Sequence, residues 1–139
     1  PAVLEPLELA AGEGCSFDVL DEPLPGSKAS STTFSNGTTR VTSNSRDRVT
    51  NVTDGGSVEL NTSGTLSFRE EGDNLAIEST GHTFFYFFPG DVGPFGEVGD
   101  DGALYYVVGH VAEVLDLNTD VVTSFEWSGR ATDVCPLIS

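Results

Sequence analysis

The chain has no methionine, one lysine (Lys28), one tryptophan (Trp127), two cysteines and two histidines among its 139 residues. Each scarcity removes a class of function. Six basic residues against 22 acidic ones leave a formal net charge of −16. A nucleic-acid binder needs a cationic surface to displace counterions from phosphate, so nucleic acid is excluded as a partner. Anionic membrane surfaces are disfavoured for the same reason. No apolar run approaches the roughly 18 residues that span a bilayer, so a soluble chain without a transmembrane segment is expected. The missing methionine includes the first position, Pro1. Translation starts with methionine, so the expectation is a processed chain, most simply one that has lost a secretory signal.

Cys15 and Cys135 lie near opposite ends. Zinc and redox motifs need close pairs, and this spacing matches neither. Bonded to each other, they would tie the first strand to the last and stabilise the fold by about 4–5 kcal/mol. A disulfide suits an extracellular protein; the other reading is two buried thiols. The negative charge is uneven, with nine acids and five bases in residues 1–69 but thirteen acids and Arg130 alone in residues 70–139. Such charge suits a soluble extracellular protein or one from a salty environment.

What is present is β-sheet pattern. Residues 1–14 read as an extended leader with Val3, Leu4, Leu7 and Leu9, and residues 15–139 as a single β domain. Cys15, Phe17 and Val19 alternate with polar residues as a first strand. Between Ser27 and Ser67, 18 residues are serine or threonine, but turn signals divide that stretch into half-buried strands. Asn36-Gly37 suits a tight hairpin, and Asp54-Gly55-Gly56 separates two further strands. Val58 with Leu60, Leu66 with Phe68, and Leu75 with Ile77 each line one face. Val111–Leu117 and Val121–Trp127 follow as later strands, with Gly129 ending the second. The expected fold is all-β, an antiparallel β-barrel or β-sandwich of about eight to ten strands closed by one disulfide.

Two stretches break the alternation. "GHTFFYFFPG" (residues 81–90) and "ALYYVV" (residues 103–108) are apolar on both faces. Phe84, Tyr86 and Phe88 share one face of a strand, and Phe85 and Phe87 the other. One face can enter a core; the other must be covered by the leader, by Phe95 of the intervening loop, by a second sheet, by a ligand, or by another copy of the chain.

The text "NGTT", "VTNVTDGGSVELNTSG", "YFFPGDVGPFG" and the terminal "DVCPLIS" resembles a group of small secreted actinobacterial proteins of unknown function. They carry one cysteine near the mature start and one just before the C-terminus. The resemblance runs from about Cys15 to Ser139. It implies secretion, a β-fold and a Cys15–Cys135 link, and no catalytic residue.

Candidate chemistry is sparse. Asp91, Glu97, Asp100 and Asp101 lie in a glycine-rich loop able to supply oxygen ligands, so calcium is the one cofactor to consider; a solvated acidic loop is the alternative. His82 and His110 read as isolated surface histidines rather than a metal or acid–base pair. Any carboxylate pair picked from 22 acids is uninformative. Three Asn-X-Ser/Thr triplets begin at Asn36, Asn51 and Asn61. The expectation is therefore a secreted, non-catalytic extracellular structural or interaction protein, self-associating through Phe84, Phe85, Tyr86, Phe87, Phe88, Phe95, Tyr105 and Tyr106. The alternative is a small carrier that uses the same aromatics to bind an apolar ligand.

Overall fold

A computed structural model describes residues 5–139. Within them run twelve strands and one short helix: β1 (Leu7–Leu9), β2 (Val19–Pro23), β3 (Lys28–Thr33), β4 (Thr39–Asn44), β5 (Arg46–Asn51), β6 (Ser57–Asn61), β7 (Gly64–Glu71), β8 (Asn74–Phe87), β9 (Val92–Gly93), β10 (Gly96–Glu97), β11 (Ala103–Asp116), β12 (Val121–Asp133) and α1 (Cys135–Ile138). They form a four-stranded sheet in the order β1-β2-β5-β6, a six-stranded sheet in the order β12-β11-β8-β7-β4-β3, and the small β9–β10 hairpin. Every pairing is antiparallel. The all-β expectation holds. The sheets stay open rather than closing into a barrel, and are consistent with a sandwich.

The turn residues act as their chemistry requires. Gly37 takes φ 89° at the β3–β4 turn, where the Thr38 amide donates to Asn36 Oδ1 at 3.0 Å. Asn51 Oδ1 accepts from Thr53 N at 3.0 Å, and Asn61 Oδ1 from Ser63 N at 2.8 Å. All three asparagines of the Asn-X-Ser/Thr triplets therefore cap their own turns. The segment read as a leader joins the fold from Leu7 onward: β1 pairs with β2, and Leu9 is buried beside Cys15. Val3 and Leu4 lie outside the described residues. Cys15 sits in a bend before β2 rather than in a strand, and bonds to Cys135 at the start of α1 with the Cα atoms 5.6 Å apart.

The long strands are the main departure from expectation. Sequence pattern suggested separate strands around Gly81, around Gly109 and before Gly129; instead β8, β11 and β12 run through these glycines for 14, 14 and 13 residues. The reason is register. Gly64 opposes Gly81, Gly81 opposes Gly109, and Gly109 opposes Gly129, a row of glycine across four adjacent strands. Three of them have φ of 105°, 140° and 106° (Gly81, Gly109, Gly129). A Cβ on Gly81 would lie 2.8 Å from Ser63 O and 2.9 Å from Gly64 Cα. Glycines at such a row let a sheet bend sharply without breaking its ladder.

Ring positions measure the bend. Phe87 pairs with Ala103 on β11, and Glu113, ten residues further along β11, pairs with Phe125 on β12. A straight strand would separate those levels by about 33 Å, yet the Phe87 and Phe125 rings are 5.3 Å apart. The six-stranded sheet is folded over on its glycine row, and one face becomes the inside of the fold.

That folding buries one face of the aromatic strands and part of the other. Phe84 and Tyr106, 5.3 Å apart, pack against the core built by Leu9, Val19, Val49, Leu104, Val134 and Ile138 beneath the four-stranded sheet. Phe85 and Phe87 enter a second core with Val107, Val111, Val122 and Phe125. The β9–β10 hairpin closes that core with Val98, and Trp127 Nε1 donates to Pro94 O at 3.0 Å.

Candidate functional site

Where the folded sheet does not quite meet itself, a cleft of about 460 Å³ remains. Its apolar wall comes from Leu66 and Phe68 of β7, Ile77 of β8, Leu115 of β11 and Val122 of β12, all placed on the concave face by strand register. Phe84, Phe85, Tyr86 and Phe88 line it from the other half of the fold. Tyr86 and Phe88 stand edge to face at 5.8 Å and stay exposed, at 43% and 41%. The lining residues with polar groups are Thr83, Tyr86, Asp91, Glu113 and Asp120.

Two of these carboxylates are buried, and they differ in partners. Asp91 accepts from Phe88 N at 2.8 Å through Oδ2 and from Val122 N at 2.9 Å through Oδ1. It thereby clasps the end of β8 to the start of β12. Glu113 is only 8% exposed, and no hydrogen bond joins its carboxyl to any described residue. Burial, and then the Asp91 charge, push the Glu113 carboxyl up to about 7.

The sequence-level candidates scatter. Phe85 and Phe87 are buried, Phe84 and Tyr106 pack on the first core and Tyr105 on the second, while Phe95 is 68% exposed at the hairpin tip. Phe95 leans edge-on against Tyr105 and Trp127 at 5.6 and 5.7 Å. These aromatics do not form one surface patch. Of the proposed calcium ligands, Asp91 turns inward to backbone amides, whereas Glu97, Asp100 and Asp101 are exposed. Among the described residues no three His, Cys, Asp or Glu side chains gather as a metal site.

The histidines differ from each other. His110 is exposed, but His82 Nδ1 lies 3.0 Å from Tyr106 Oη, which donates to Asn61 O at 2.6 Å. The single phenolic proton is thus committed to Asn61, and His82 donates from Nδ1. This chain ties the two large sheets together. In the four-stranded sheet, burial pushes the Asp21 carboxyl up to about 9, with neighbouring Asp47 adding to the rise.

Glu113 escaped sequence reasoning because nothing local marks it among 22 acids. Only its cross-strand neighbours Ile77 and Phe125 reveal an apolar site, and those are pairings over long sequence separations. Among the described residues no helix is long and apolar enough to cross a membrane. The disulfide points to an oxidising compartment. Comparison of the chain with protein-family models, with curated proteins and with solved structures finds no match in any of the three.

Proposed function

We propose that the chain is a secreted, non-catalytic binding domain that holds a small apolar ligand in the cleft of its folded sheet. The observation that carries this reading is the cleft itself. Its volume of about 460 Å³ lies in the range of small-molecule sites, and it joins an apolar wall to a few converging polar groups, as such sites do. Secretion is supported by the disulfide. Self-association through the aromatic strands draws on Tyr86, Phe88 and Phe95 alone, since their neighbours are covered within the chain.

Titration with an apolar fluorescent probe tests the reading, alongside the solution mass by light scattering. The expected result is saturable binding of one probe per monomer, weakened in the Tyr86→Ser, Phe88→Ser double variant with the fold retained. An oligomer that this double variant dissociates, with no probe binding, would instead establish self-association.

A further inference from the structure

We propose, building on the reading that the cleft holds an apolar ligand, that this ligand is a cationic amphiphile: an apolar body bearing one amine, its ammonium paired with the Glu113 carboxylate. Glu113 projects from the concave face between Ile77 and Phe125, nine-tenths buried. Its carboxyl has no hydrogen-bond partner among the described residues. Asp21 Oδ1 is the sole described side-chain atom that is both sealed from solvent and unpartnered, so the Glu113 oxygens are not sealed. They open into the cleft that Glu113 lines.

The other acids of the cleft do not compete for the role. Both oxygens of Asp91 already accept backbone amides, and Asp120 sits at the turn leading into β12, exposed to solvent. No lysine, arginine or histidine lines the cleft, so the protein supplies no counterion. A buried carboxylate without one is costly. A ligand ammonium would provide the missing charge and donate charge-assisted hydrogen bonds, while its apolar body covers Leu66, Phe68 and Leu115. A fatty acid would bring a third carboxylate against Glu113 and Asp91. An alcohol would leave Glu113 uncompensated.

Calorimetric titration with decylamine, decanol and decanoate at moderate salt tests this. At about pH 8.5, where Glu113 is ionised, decylamine should bind about tenfold or more tightly than decanol, with decanoate weakest. At about pH 5.5 Glu113 is neutral, and the advantage of the amine should vanish while decanol binding holds. Asp91, Asp120 and the Tyr86 phenol are the other titratable groups facing the cleft; the adjoining Ile77 and Phe125 do not titrate. Glu113→Gln should reduce decylamine binding to the decanol level, whereas Glu126→Gln, on the exposed face of β12, should change nothing.

Equal binding of amine and alcohol by the wild-type chain overturns the amine proposal and leaves the apolar cleft standing. An equal loss in Glu126→Gln overturns it too, since overall negative charge would then account for the preference. No binding of any of the three probes removes both readings. The wild-type comparisons need no variant, so a misfolded Glu113→Gln would not spare the proposal.

Discussion

Replacing Gly109 by alanine tests the folded sheet at its hinge. Gly109 sits at φ 140° in mid-strand, where an L-residue is strained by about 1–3 kcal/mol. Its Cβ would also press on Ser128 O and Gly129 Cα of the paired strand, and relieving such overpacking costs a further ~1–3 kcal/mol. Together these put the loss at about 4 kcal/mol. Gly72→Ala is the matched control. It has φ 62° in the β7–β8 turn, but nothing lies within 4 Å of its added Cβ, so its cost is the left-handed term alone, about 1–2 kcal/mol. Urea unfolding at constant slope measures both, and the melting temperature should fall by roughly 10 °C for Gly109→Ala. Equal losses in the two variants would refute the argument that backbone contact at the glycine row allows the sheet to fold over.

The pH dependence of stability follows from Glu113 and Asp21. Folded Glu113 keeps its proton up to about 7, whereas the unfolded chain releases it near 4.5, so its contribution falls as pH rises between those values and levels off above. Glu113→Gln should remove up to about 3 kcal/mol of that decline; denaturation curves for wild type and variant that stay parallel from about pH 4.5 to 7 would contradict it. Asp21, raised to about 9, extends the same trend upward, and Asp21→Asn should flatten that part. The Cys15–Cys135 bond closes a loop of 120 residues' separation, so reduction should cost about 5 kcal/mol in the chain-entropy treatment. Thiol titration of the unreduced, unfolded chain should find no free thiol, and two would contradict the bond.

Much of the sheet was legible locally because strand periodicity is local. Val58 with Leu60 and Leu66 with Phe68 alternate with polar neighbours, and those segments are strands. Asn36-Gly37 marked a hairpin because a tight turn needs backbone that tolerates positive φ. The doubly apolar text of Phe84 to Phe88 marks a strand that meets two cores, through Phe84 on one face and Phe85 and Phe87 on the other, while Tyr86 and Phe88 stay exposed.

By itself, then, the sequence determined the β class, the strong negative charge, the turn positions and a strand needing cover on both sides, since each depends on neighbours along the chain. Whether Gly81, Gly109 and Gly129 end strands or bend them depended on the residues opposite. Glycine facing glycine across four strands removes every Cβ from one line, so the ladder continues while the sheet folds. That fold alone brought Phe87 to Phe125, hid Phe85 and Phe87 from solvent, and left Glu113 without a counterion beside the cleft. These outcomes arise from pairings between residues far apart in sequence, to which no local pattern responds.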